Sequence, residues 1–253
     1  MIIIKSKTEI DLIRESSRIV ARTLDLVKNN VRPGVSTKEL EIIAEDYILS
    51  QNARAAFKGY SQGDSTPFPA AICASIDDEV VHGIPGERKL KEGEIISIDV
   101  GVVKNGYYSD AALTVPVGTV SDEILKLLEV TEKSLHVGIE QAVKNNRVED
   151  ISFSIQNYVE SFGFSIVREL TGHGVGKYLH EDPSIPNFGK AGKGPKLKNG
   201  MTIAIEPMVN YGNKAVVIGY DGWTVMAKDG LPSAHFEHTV LINNNTPEIL
   251  SVI

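Results

Sequence analysis

The chain has 253 residues, 42% of them hydrophobic and 23% charged, with 11 Pro and 22 Gly, an ordinary globular composition that excludes disordered and collagen-like classes. Its 26 Lys plus Arg against 33 Asp plus Glu leave a formal net charge of -7, which argues against a protein that works by neutralising nucleic-acid phosphates. The one cysteine, Cys73, permits no internal disulfide and no cluster of thiolate zinc ligands, and it points to a reducing, cytoplasmic compartment. A chain of this length should fold to an accessible surface of about 11,000 Å². Met1 to Ile4 is too short an apolar run for a signal peptide, and no stretch of about 18 apolar residues offers a membrane span.

Ser6 and Glu9 stand at capping-box spacing, and Ile10, Ile13, Val20, Leu24 and Val27 recur at helical intervals, so a first helix runs to about Asn29. Pro33-Gly34 breaks the chain. Ser36 with Glu39 repeats the box, and Leu40, Ile43, Tyr47 and Ile48 give a second amphipathic helix. Beyond Asn52, the segments Ala70 to Ile76, Glu94 to Val103 and Tyr107 to Val117 read as strands, the last two joined by a hairpin at Lys104-Asn105-Gly106. From Ser121 the order starts again. A helix runs to about Val143 and another over Glu149 to Phe162; strands follow at Ile166 to Glu169, Met201 to Val209, Ala215 to Ile218, Thr224 to Lys228 and Ala234 to Ile242. The segment from Asp182 to Lys198, rich in Gly, Pro and Lys, reads as surface loop. Halves of like order, about 1–120 and 121–253, suggest a duplicated α+β unit within a single domain.

Charge inside apolar strands is the strongest chemical signal. Asp99 interrupts Ile95 to Val103, Glu206 interrupts Met201 to Val209, and Glu237 interrupts Ala234 to Ile242. A buried carboxylate without a partner costs several kcal/mol, so each needs a cation or a rich set of donors. Asp110, across the Asn105-Gly106 turn, is placed to join Asp99 from the neighbouring strand. For any one of these acids an exposed strand face is the commoner role; four together are better explained by divalent metal than by four separate salt bridges.

Histidine supplies the second half of the constellation. His173 lies in Thr171-Gly172-His173-Gly174-Val175-Gly176, where the glycines let other backbone or a ligand approach closely, and neutral imidazole suits transition metals. The run lacks the full dinucleotide-binding fingerprint. His82 and His180 also stand beside turn residues. His136, on a helix, reads as structural, and His238, next to Glu237, as structural or supporting.

In combination the stretches Glu79-Val80-Val81-His82-Gly83-Ile84-Pro85, Ile98-Asp99-Val100, Ser109-Asp110, Gly172-His173-Gly174-Val175-Gly176, Leu179-His180-Glu181, Ala204-Ile205-Glu206-Pro207 and Phe236-Glu237-His238-Thr239 are specific. On them the chain resembles the type I methionine aminopeptidases, metallopeptidases of the pita-bread fold, from the first helix to Ile242. The resemblance implies an α+β fold, with pseudo-twofold duplicated α/β halves around a central curved antiparallel sheet, as a single catalytic domain. It implies removal of N-terminal methionine from nascent proteins, with small second residues favoured. By the same resemblance Asp99, Asp110, His173, Glu206 and Glu237 hold two divalent metal ions (Co, Mn, Fe or Zn), with Asp110 and Glu237 bridging. Glu206 moves protons, and His82 and His180 handle the substrate. The methionine pocket maps onto Tyr60, Cys73 and Trp223, apolar or soft enough to contact a thioether, with Leu179 at the wall.

The implied partners are nascent polypeptides beginning with Met and a transient ribosome contact, with no membrane, no specific nucleic acid and a monomeric state. Leu179 stands where Phe is common, His235 where Gln is common, and Tyr60 to Ala70 is a few residues longer than in compact bacterial members. The Cys- and His-rich extension of eukaryotic type I members and the large insertion of the type II form are missing, so a bacterial enzyme is expected. Two readings compete: a prolidase-like Xaa-Pro peptidase, which in most relatives carries an additional N-terminal domain, and a non-catalytic pita-bread binding protein, which should have lost ligands.

Overall fold

Each half begins with a pair of helices whose first turns are tied by side chains. The structure is a computed structural model and describes residues 1–61, 66–244 and 246–253. Helix α1 (Lys7–Lys28) starts where Ser6 accepts from the Glu9 amide and the Glu9 carboxylate accepts from the Ser6 amide at 2.8 Å. Ser36 and Glu39 repeat that reciprocal cap on α2 (Thr37–Ser50). In the second half Ser121 caps α3 (Asp122–Glu140), while α4 (Val148–Ser161) is opened by the Asp150 carboxylate accepting the Arg147 amide at 2.7 Å. These caps satisfy amides that a helix leaves unpaired at its N-terminus.

The strands of the first half are β1 (Arg54–Ala55), β2 (Cys73–Ile76), β3 (Glu79–Val81), β4 (Ile95–Lys104) and β5 (Tyr107–Pro116). Those of the second are β6 (Ser165–Ile166), β7 (Thr171–Gly174), β8 (Glu181–Pro186), β9 (Thr202–Ile205), β10 (Met208–Asn210), β11 (Val216–Ile218), β12 (Val225–Ala227), β13 (Ser233–His235), β14 (Glu237–Leu241) and β15 (Glu248–Ile249). The main sheet runs β1-β4-β5-β14-β9-β7-β8, with β2 also on β4 and β15 on β14; two small sheets run β13-β10-β6 and β11-β12-β3. At the β4–β5 turn Asn105 and Gly106 have φ of 51° and 76°, as a two-residue hairpin with the right-handed strand twist requires.

Helices α1 and α2 bury Val20, Leu24, Leu40 and Ile48 against Ile96, Ile98 and Val100, while α3 and α4 bury Leu127, Leu135, Ile151 and Ile155 against Ile203, Ile205 and Val240. Cutting a fully buried residue such as Ile98 or Ile155 back to Ala costs about 2 to 5 kcal/mol. Side chains alternate along a strand, so Asp99, between Ile98 and Val100, turns to the face the helices leave free. The repeated order of helix pair and antiparallel strands is the α+β pita-bread arrangement expected, and the folded chain exposes 11117 Å².

Three expectations are corrected. The segment Asp182 to Lys198 is not all surface loop: residues 182–186 belong to β8, and Ile185, Asn187 and Leu197 are buried. Pro183 and Pro186 obscured that strand, which the sheet tolerates because β8 lies at its edge. The runs Met201 to Val209 and Ala234 to Ile242 are each two strands: at Glu206-Pro207 the chain leaves the main sheet for β10, and at Phe236 it returns to it from β13. Finally, the strand read at Ile166 to Glu169 is only Ser165–Ile166, and β3 and β7 carried no alternation that the sequence reading registered.

Candidate metal centre

Strand register assembles the acids. Asp99 pairs with Ala112, and Ala112 pairs on its other side with Glu237, so the two carboxylates flank one row across β4, β5 and β14. Asp110, two residues from Ala112 along β5, lies on the same face. Glu206 stands at the break after β9, and β7 brings His173 over them. His173 Nε2 is 3.4 Å from Asp110 Oδ2 and 3.5 Å from Glu206 Oε1. One ligand atom from each of Asp110, His173 and Glu237 lies within 4.8 Å of the others, and this is the one such group among the described residues.

Glycine permits the approach, as the flanks of His173 suggested. A Cβ on Gly172 would collide with the Ala204 carbonyl oxygen, and one on Gly174 with that of Asp182. His82 is held at φ 61° beside Gly83, where a Cβ would lie 2.5 Å from the Ala74 carbonyl oxygen.

The electrostatics call for a cation. Asp110 and Glu237 each keep 3% of their surface exposed, and the buried Oδ1 of Asp99 has no hydrogen-bond partner. Burial, then the charges of Asp110 and Glu206, hold the Asp99 carboxyl well above the usual carboxylate range, and Glu237 is raised in the same way. Burial pushes Glu206 up to about 8, although His173 opposes it. Burial alone would lower His173, but the Asp110 and Glu206 charges overrule it and carry the ring to about 9. Four carboxylates and one imidazole, crowded and short of donors, fit divalent cations of the first transition row.

The surrounding cavity, of ≈ 460 Å³, brings together the residues given a ligand, catalytic or pocket role from the sequence: Tyr60, Cys73, His82, Leu179, His180 and Trp223 line it with the acids and His173. Phe68 meets Trp223 edge-on at 5.3 Å, and Trp223 Nε1 donates to the Thr66 carbonyl at 2.9 Å. The Tyr60 hydroxyl and His180 Nδ1 are hydrogen-bonded at 2.7 Å, and the His180 ring lies 4.3 Å from that of His173. Burial, with His173 adding, pushes His180 down to about 4, and burial does the same for His82. Part of the long Tyr60 to Ala70 loop, residues 62–65, lies outside the described residues.

Sequence reasoning missed the supports. The Thr239 hydroxyl donates to the Asp110 carbonyl at 2.8 Å and receives from Ser109, which in turn receives from Ser17 of α1. Asn187 Nδ2 donates to the Glu206 carbonyl at 2.9 Å. Phe57, Phe68 and Met208 complete the apolar wall; aromatics in the loop before β2 were the available signal. His235, noted as a departure, is buried with Nε2 unpartnered, 3.9 Å from Glu206 Oε2.

The family model of metallopeptidase family M24 matches residues 11–244. A methionine aminopeptidase of Clostridium perfringens is 52% identical over 253 residues, covering 100% of both chains. Methionine aminopeptidase 1 of Bacillus subtilis is 52% identical over 251 residues, 99% of each chain. The crystal structure of a Thermotoga maritima methionine aminopeptidase superposes with a TM-score of 0.97 at 42% identity, covering 100% of both chains.

Proposed function

The chain belongs to metallopeptidase family M24, and we propose that it acts as an aminopeptidase on polypeptides that begin with methionine, hydrolysing the bond after the first residue. The observation that carries this reading is the joining of two surfaces in one cavity: a floor of four acids and His173, and an adjoining apolar wall of Phe68, Cys73, Leu179 and Trp223. Relatives named methionine aminopeptidase at 52% identity over the full chain support it.

Asp99, Asp110, His173, Glu206 and Glu237 would hold two divalent ions, and ions held there would supply Lewis acidity toward a carbonyl and lower the pKa of water. Glu206 takes the proton of the attacking water and delivers it to the leaving amine. A Tyr60 hydroxyl that donates to His180 Nδ1 leaves the proton of that neutral ring on Nε2, free to donate. His82 and His180 donate to the scissile amide and the developing oxyanion. Thr239 keeps Asp110 oriented. The second residue of the substrate must thread past both imidazoles, which favours Ala, Gly, Ser, Thr, Pro, Val and Cys over Lys, Arg, Phe or Leu.

The same reading has the protein working as a monomer in the cytoplasm, on nascent chains and in transient contact with the ribosome. Its lone cysteine and net charge of -7 support a reducing compartment and weak RNA affinity.

The test is a peptide panel with metal-stripped protein reloaded with Co or Mn. Met-Ala-Ser should be cleaved, Met-Lys-Ser refused, and norleucine at position one disfavoured by about 1 to 3 kcal/mol, since apolar pockets discriminate weakly by size. Cleavage of Xaa-Pro peptides without regard to Met would make the protein prolidase-like. Absence of both metal uptake and hydrolysis would make it a binding protein.

A further inference from the structure

Lys5 and Glu181 form an ion pair that the mechanism above does not use. Lys5 Nζ lies 2.6 Å from Glu181 Oε2, and each side chain keeps 2% of its surface exposed. Two charges taken that far from water lose most of their solvation, which only close geometry and further hydrogen bonds offset. On the acid side the further bond is present: Glu181 Oε1 accepts the Tyr178 amide at 3.0 Å. On the other side the Lys5 backbone is fixed, its amide donating to the Gly200 carbonyl at 2.8 Å. Two glycines make room for this strap. A Cβ on Gly176 would lie 2.5 Å from Lys5 Cε, and one on Gly200 would lie 2.9 Å from the Lys5 carbonyl oxygen. Ahead of Lys5 the Met1 amine pairs with Asp182, and after it Ser6 caps α1. The residues before α1 therefore cross the turn 176–181 and are tied to it.

That turn carries Leu179, in the wall of the apolar pocket, and His180, at the mouth of the cavity. Glu181 directly follows His180, and its carboxylate is where Lys5 and the Tyr178 amide meet. Among the described residues the His180 ring is hydrogen-bonded to Tyr60 alone and otherwise meets the His173 ring at 4.3 Å. The burial that fixes its backbone comes from its neighbours. We propose that Lys5 is a positioning residue for His180: the Lys5–Glu181 pair locks the turn, so that the imidazole stands where the scissile group arrives. A misplacement of ~1 Å in such a group costs up to ~100-fold in rate. The inference rests on the role given to His180 above.

Lys5→Met, Glu181→Gln and the double variant are compared with His180→Ala, all reloaded with Mn and assayed on Met-Ala-Ser well below their melting temperatures. Metal affinity is measured by calorimetry, and Tm is recorded. Lys5→Met and Glu181→Gln should each lower kcat by about 10- to 100-fold with KM and metal affinity nearly unchanged, and the double variant should be no slower than the worse single one. Glu181→Gln keeps an acceptor for the Tyr178 amide and removes the charge, so it decides the matter should Lys5→Met fail to fold. A pair that serves stability alone lowers Tm and leaves kcat intact, and that result overturns the proposal. Loss of metal in either variant overturns it too. If His180→Ala turns over at the wild-type rate, the role of His180 falls, and the strap falls with it. If His180→Ala is slow while both pair variants run at the wild-type rate, only the strap falls.

Discussion

Two cavities lie on opposite faces of the main sheet. The front one, of ≈ 460 Å³, holds the acids and His173. The rear one, of ≈ 550 Å³, lies among Leu24, Leu128 and Leu135 of α1 and α3 and the C-terminal Val252 and Ile253. By volume the rear cavity ranks ahead, and it too has a pair of imidazoles, His136 and His238, with ring centres 6.2 Å apart. Consecutive residues of β14 separate the two: Glu237 turns to the front and His238 to the rear. Burial, with His136 adding, pushes His238 down to about 4, and its Nδ1 is hydrogen-bonded to Ser251 at 2.9 Å. The rear His238 ring is held toward its neutral form and has a hydrogen-bond partner in Ser251. At the front, acids crowd together and Asp99 Oδ1 has no partner. Unrelieved buried charge, more than volume, marks a site built for a ligand.

Mutation should separate the faces most sharply at the acids. Asp110→Asn or Glu237→Gln should lower activity by at least about 10³-fold, since several kcal/mol of charge stabilisation is lost. Bound metal, counted by plasma emission, should fall with it; a variant with full turnover and full metal would refute the ligand assignment. A smaller loss is expected from His180→Ala and His82→Ala, about 10²-fold in kcat with metal content preserved, because each acts on the reacting group from outside the ligand set. Metal loss in either variant would reassign the histidine as a ligand.

Titration offers a third contrast. Glu206 is raised from 4.5 to about 8 in the metal-free fold, so between those values the folded chain holds a proton that the unfolded chain has released. His173, raised from 6.5 to about 9, contributes stability that is full below 6.5 and lost as pH rises through 9. Both make the metal-free protein less stable as pH climbs from about 7 to 9, above the range in which His82, His180, His235 and His238, all lowered from 6.5, act in the opposite sense. Added Mn or Co, which needs the ionised acids, should raise Tm more at pH 8 than at pH 6, as calorimetry would record. A metal-free Tm that rises across this range would show that the cluster is not charged as described. The smallest effect belongs to the rear: His238→Ala should cost about 1 kcal/mol of stability through the lost Ser251 hydrogen bond and leave kcat unchanged. A fall in turnover there would join the two faces functionally.

The four helices and the central hairpin were readable because their signals are local. Ser6 with Glu9 and Ser36 with Glu39 sit within one turn of each other, and Asn105-Gly106 carries its own turn geometry. The four acids at the front, with the imidazole of His173, were readable for a different reason: a carboxylate in an apolar strand is anomalous before any neighbour is known. The supports were not. Thr239 reaches Asp110 across 129 residues and Lys5 reaches Glu181 across 176, and each is an unremarkable residue in its own segment. The breaks at Glu206-Pro207 and Phe236, which turn two acids toward one centre, likewise follow from which strands the flanking halves pair with. Residue type and spacing set what chemistry the chain can perform. Where that chemistry is assembled depends on strand register between distant segments, which the packing of the whole sheet decides and no single segment encodes.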